Sequence, residues 1–245
     1  MKNKIGLVIT IVAISALLLV SGCGNQATET PMPTSSGNMT SSSWIDQPIQ
    51  FTQSDLTFEI LHVARIGDNL VFRVKYPLVD WRNWYISKVK LTLAGSEVFT
   101  NAQTEFFERL YQKVAGTYCL YQPSYNEIEK CIETDDMETY QIVNLIFSDL
   151  PADFESKQAV LEVLELSTGA TYCEDLRIPH IEEVLAKDFS GLTLECEAGH
   201  FAEDVAISTA SGFADNSEAK AAVEALLVEA NSGVIAGPWT FEVSK

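Results

Sequence analysis

Positive charge is scarce in this chain. Its 245 residues hold 16 Lys and Arg against 34 Asp and Glu, a formal net charge of −18. That balance excludes nucleic-acid binding as a main activity, because phosphate contacts need clustered basic side chains to displace counterions. Histidine is nearly absent: His62, His180 and His200 are the three in the chain. No G-x-S-x-G elbow, H-E-x-x-H pair or glycine-rich phosphate loop occurs, so the common signatures of acyl transfer, zinc hydrolysis and nucleotide binding are missing. The five cysteines form no C-x₂₋₄-C knuckle, and a Cys₄ zinc site is therefore not expected. Long apolar runs are also missing, with one exception at the N-terminus.

That exception is the sequence MKNKIGLVITIVAISALLLVSGC. Lys2 and Lys4 precede an uncharged apolar run, and small residues follow it, which is the layout of a secretory signal peptide. The run from Ile5 to Gly22 is 18 residues, also just enough for an uncleaved span. Val20-Ser21-Gly22-Cys23 resembles the lipobox of bacterial lipoproteins. The resemblance implies cleavage before Cys23 and acyl chains on that cysteine, and hence a cell-envelope location outside the cytoplasm. Cleavage would leave 14 basic against 34 acidic residues, a charge of −20. Such a surface is repelled by anionic headgroups, so the expected membrane partner is reached through the lipid anchor alone.

Residues 23–43 follow as a Ser/Thr/Pro-rich stretch with almost no large apolar side chain. It cannot bury enough surface to offset its ordering entropy and reads as a flexible tether. The folded domain is expected over residues 44–245, and 47% hydrophobic composition is ample for a core.

Within it the period-2 signal dominates. Leu56, Phe58 and Ile60 alternate with polar residues, and after Gly67-Asp68-Asn69 the run Leu70 to Tyr76 puts Leu70, Phe72, Val74 and Tyr76 on one face. Two such runs around a turn predict a hairpin. Further strands are expected at 88–93, 140–147, 158–166 and 237–243. One helix is expected at 217–230, with Val223, Leu226 and Leu227 on one side and Asp215-x-x-Glu218 as a capping box. Residues 103–114 read as a second, weaker helix. The opening hairpin, the Tyr140–Leu150 run and the closing Gly-Pro-Trp-Thr-Phe-Glu-Val strand resemble the immunoglobulin-like extracytoplasmic domains of lipoproteins and sigma-factor regulators. The expected fold is thus mainly β, an immunoglobulin-like sandwich with an inserted segment near 101–135 and one helix in the C-terminal region.

Cys119, Cys131, Cys173 and Cys196 are an even set in an exported chain and read as disulfides. Cys119–Cys131 and Cys173–Cys196 are the favoured pairs, since short loops cost less entropy to close. His180 stands near Glu182 and Glu183, and His200 near Glu203 and Asp204. In so acidic a chain such neighbours are ordinary, and no metal or other cofactor is expected. Glu133 to Glu138 lacks the alternating spacing and glycine of a calcium loop. Two aromatic groups remain as candidate ligand-binding residues: Trp81 and Trp84 between strands, and Tyr118, Tyr121 and Tyr125 around the first cysteine pair. Tyrosine offers large, rigid contact area at small entropic cost. If these rings bind a partner, they should be exposed. No catalytic residue stands out, and the expected role is a binding or interaction module for an envelope protein or glycan. An envelope-polymer hydrolase working through carboxylates and a sensory or structural accessory of a membrane complex are the alternatives.

Overall fold

The computed structural model describes residues 43–94, 97–114, 116–122, 130–135, 137–154, 158–170, 177–195, 206–209 and 217–245. All of them lie in the second of two compact units, Asn38–Lys245. The signal-peptide and lipobox residues and most of the tether therefore lie outside the described residues.

The fold is a mainly β sandwich of antiparallel sheets. The larger sheet has seven strands in the order β1-β2-β3-β9-β6-β7-β8: β1 (Ile49–Gln53), β2 (Leu56–Ile66), β3 (Asn69–Pro77), β6 (Gln103–Val114), β7 (Thr117–Tyr121), β8 (Lys130–Glu133) and β9 (Tyr140–Phe147). The smaller sheet has four, in the order β13-β10-β4-β5: β4 (Trp84–Leu93), β5 (Glu97–Phe99), β10 (Ala159–Thr168) and β13 (Val234–Val243).

Turn chemistry sets the first pairings. Gln53 pairs with Leu56 across Ser54 and Asp55, which have φ of 53° and 61°. Two consecutive left-handed residues make the hairpin turn whose twist matches that of the strands. Ile66 pairs with Asn69 across Gly67, at φ 61°, and Asp68. The Arg65 guanidinium donates to the Gly67 carbonyl at 2.6 Å and to Asp68 at 3.1 Å.

Alternation then puts Phe58, Ile60, Leu70, Phe72, Val74 and Tyr76 into one core with Leu91, Leu93, Leu161, Val163, Trp239 and Phe241 from the smaller sheet. Phe58 lies between Trp239, at 4.4 Å between centroids, and Tyr76, at 5.5 Å. The Trp239 indole N–H reaches the carbonyls of Gln53 and Leu56, each at 3.3 Å, and so ties the edge strand β13 to the first hairpin.

Two results differ from the sequence reading. Residues 103–114 are a strand, β6, and not a helix. Phe106, Phe107, Leu110, Tyr111 and Val114 recur at helical spacing because the strand has two irregularities in its register, between Phe106 and Glu108 and between Gln112 and Val114. Each bulge adds a residue and shifts the period-2 phase, which mimics a period near 3.6. The expected elaboration of 101–135 consists of β6, β7 and β8, which extend the larger sheet. Among the described residues, none of these three strands contributes to the main core cluster.

The second result is an excursion over residues 169–233 between neighbouring strands β10 and β13. It contains α1 (Arg177–Leu185), β11 (Thr193–Glu195), β12 (Ala206–Ser208) and α2 (Ser217–Asn231). The helix expected at 217–230 is α2. Ile178, Ile181 and Leu185 of α1 pack with Ala219, Val223 and Leu227 of α2 in a separate small core. The neck of the excursion is closed by Thr168 N–H to the Gly233 carbonyl at 2.9 Å and Gly233 N–H to Thr168 Oγ1 at 2.7 Å.

Candidate binding surface

A transverse row of side chains crosses the inward face of the larger sheet. Tyr76 on β3 stands opposite Gln141 on β9, Gln141 opposite Arg109 on β6, and Arg109 opposite Tyr121 on β7. Hydrogen bonds run along the first three. Gln141 Nε2 donates to the Tyr76 hydroxyl at 2.8 Å, and Arg109 Nε donates to Gln141 Oε1 at 2.8 Å. The Tyr76 hydroxyl donates to the Trp84 carbonyl at 3.4 Å. Burial pushes the Tyr76 phenol well above its ordinary pKa, against the opposing pull of Arg109 and Gln141. Tyr76 and Gln141 are buried, and their mutual bonds satisfy polar atoms that would be costly alone.

The row opens to solvent as it leaves the shared core. Arg109 lies over the Phe106 ring at 5.5 Å, and Phe106 in turn lies 5.5 Å from the ring of Tyr121. Tyr121 is 36% exposed. Arg109 also donates to Asn83 Oδ1 at 2.8 Å. That bond fixes the loop before β4 against the sheet.

The same loop is a junction. Asp80 accepts from the Arg82 backbone at 2.8 Å, from the Arg82 guanidinium at 2.7–3.1 Å and from the Trp84 indole at 2.9 Å. Burial raises the Asp80 carboxyl pKa, but the bonds from Arg82 and Trp84 outweigh it and hold the group below its usual range. Trp81 packs against the small core of the excursion and stacks on His180 of α1 at 4.4 Å. Glu182 accepts the Leu194 N–H at 2.5 Å, so it fastens α1 to β11. The His180–Glu182 pair is thereby used in packing, and among the described residues no group of three metal-ligating side chains converges.

The outer face beside Tyr121 is also tied down. The Tyr140 hydroxyl donates to Glu108 at 2.6 Å, and Gln122 donates to the other oxygen of that carboxylate. Partial burial, then the bond to Glu108 and its charge, push the Tyr140 phenol above its ordinary range.

The candidate residues separate on this geometry. Cys119 and Cys131 are directly opposed on β7 and β8 and form a disulfide. Cys173 and Cys196 lie outside the described residues, as do Tyr125 and Cys23. Trp84 is 1% exposed and leaves the set of surface rings: its indole N–H is consumed by Asp80 and its ring fills the end of the main core. Tyr118 is 8% exposed, so the exposure expected of it is not met. It stands between Gln112 of β6 and Ile132 of β8 in the middle of the extension. Trp81 is half-buried, with one side occupied by His180. Tyr121 is the one candidate tyrosine among the described residues that faces solvent.

Asn83, Arg109 and Gln141 were not singled out from sequence. Gln141 had a readable signal: it occupies the inward phase shared by Val143, Leu145 and Phe147. A polar side chain in that phase requires a buried partner. Comparison with protein-family models, curated proteins and solved structures returns no match.

Proposed function

We propose that this chain is a cell-envelope lipoprotein, processed before Cys23 and anchored through that cysteine, whose sandwich serves as a non-catalytic binding module for an envelope protein or glycan. The lipobox-like Val20-Ser21-Gly22-Cys23 supports the location. The surplus of acidic residues supports an anchor made of lipid and not of basic side chains.

The observation that carries the binding reading is Tyr121. Its ring is exposed at the open end of a row whose other members are fixed by hydrogen bonds, on strands that have run beyond the shared core. A solvent-facing aromatic on a rigid, disulfide-braced support has little conformational entropy left to lose on association. Arg109, bonded to Gln141 and Asn83, holds the row in place beneath Phe106 and Tyr121.

The test is Tyr121→Ala in the mature protein. Retention of solubilised envelope protein or of glycan polymer on the immobilised domain should fall at least tenfold, with the melting temperature within about 2 °C of wild type. Truncation of a core aromatic would instead cost about 3–5 kcal/mol of stability. Unchanged retention of an envelope component that the wild type captures would refute this surface.

A further inference from the structure

The Cys119–Cys131 disulfide lies outside the main core cluster of the sandwich. It joins β7 to β8, the last strand of the larger sheet, and neither strand contributes to the main core cluster. β8 is four residues long and exposed at every position, with Ile132 at 51%. Its pairing with β7 covers Thr117–Leu120 against Lys130–Glu133. A ladder so short, with no apolar face to bury, is marginal by itself in water. The two cysteines are also unequal: Cys119 is a fully buried residue, whereas Cys131 is an exposed one on the edge strand, which makes Cys131 the side from which we expect a reductant to approach.

We propose that β8 is a detachable edge strand latched by this disulfide, and that reduction by a dithiol releases β8 and exposes the outer edge of β7. A thiolate of the dithiol attacks Cys131 Sγ. The sulfur–sulfur bond breaks, and its electron pair leaves on Cys119 Sγ, which takes up a proton. The second thiol then attacks the mixed disulfide, closing the dithiol's own disulfide and freeing Cys131 as a thiol. Two electrons pass from the dithiol to the protein. β8 then keeps its short ladder and the adjoining bond from Thr134 N–H to the Gly116 carbonyl at 2.9 Å without a covalent link, and where these open, the N–H and C=O groups of β7 that it covered become a free sheet edge. Because β7 also carries Tyr121, the latch sits at one border of the proposed surface. It rests on the strand geometry and not on that surface being a binding site.

Hydrogen exchange on the full mature domain, with and without dithiothreitol, tests the latch. The double variant Cys119→Ala/Cys131→Ala, without reductant, separates this bond from any other disulfide. In the reduced wild type and in the variant, amides of 130–133 should exchange at least tenfold faster. Those of Thr117–Tyr121 that face β8 should follow, while β3 and β9 keep their protection. Unchanged protection of β8 after confirmed reduction would overturn the proposal. So would loss of protection extending through β6 and β9, since the bond would then hold the sheet and not one strand. Neither outcome depends on whether Tyr121→Ala affects capture.

Discussion

The indole of Trp81 and the imidazole of His180 stack with centroids 4.4 Å apart and planes inclined by 19°. One ring belongs to the loop before β4 and the other to α1, so this contact joins the sandwich to the excursion that leaves it between β10 and β13. Asp80, one residue before Trp81, is fixed by Arg82 and Trp84. The sandwich side of the contact is therefore rigid, and His180 is the member whose state can change.

That state depends on pH. Burial lowers the His180 pKa, and the nearby charges of Glu183 and Asp80 recover only part of the shift. The folded protein thus binds the proton less readily than the unfolded chain, whose histidine titrates near 6.5. Above that value the imidazole is neutral in both states and its stabilising contact is complete. As pH falls through about 6.5 and below, the unfolded chain gains the proton first, and stability is lost. We expect the melting temperature to drop between pH 7 and pH 5. His180→Phe keeps an aromatic face against Trp81 and should flatten that part of the curve. Parallel curves for the two proteins would show that other groups set the dependence.

Gly233 permits the neck of the excursion to close. A Cβ at this position would lie 2.7 Å from the Trp84 ring and 2.9 Å from Thr168 Cγ2. Trp84 is locked by Asp80 and cannot yield cheaply, so the clash must displace backbone. Gly233→Ala should destabilise the domain by about 1–3 kcal/mol, the usual range for overpacking, read as a lower midpoint in urea. A stabilising effect from reduced chain entropy, as glycine replacement gives at open sites, would mean that the neck is looser than this.

The parts legible in the sequence are those where one face is buried and the other wet. β2 and the second half of β3 show it plainly, because Phe58 and Ile60 alternate with Thr57 and Glu59, and Val74 and Tyr76 with Arg73 and Lys75. β1 leaves only a faint signal: Ile49 and Phe51 alternate with Gln50 and Thr52, but over five residues of an edge strand whose central positions are all exposed. β6 misled through its two bulges. α1 was hidden by its brevity, nine residues, and by packing that depends on α2, forty residues later in the chain. The row from Tyr76 to Tyr121 is half legible. Tyr121 stands out by its chemistry, but Arg109 and Asn83 become partners only through pairing between strands distant in sequence, which local patterns do not encode. Tyr118 and Trp84 show the limit of composition: an aromatic in a turn-rich stretch reads alike whether neighbouring strands cover it or not.

The proposed lipid anchor can be separated from electrostatic attachment by charge. After cleavage before Cys23 the chain would carry −20, and an anionic bilayer repels such a surface. Among the described residues no helix is long and apolar enough to cross a membrane. If Cys23 bears two or three acyl chains, each buried CH₂ contributes about 0.8 kcal/mol and attachment is stable. The full-length wild type, expressed in a bacterial host, should partition into detergent with the membrane fraction and incorporate labelled fatty acid. Cys23→Ser should abolish the label and stop processing at the lipobox, leaving a precursor heavier by the 22 leading residues. Release should then need only removal of that segment. A soluble form beginning at residue 24 should stay in the aqueous phase at both low and high salt, because no electrostatic attraction exists to be screened. A Cys23→Ser protein that matures to the wild-type mass and remains with the membrane would eliminate the lipid anchor. Salt-sensitive membrane binding of the truncated form would do the same for the charge argument.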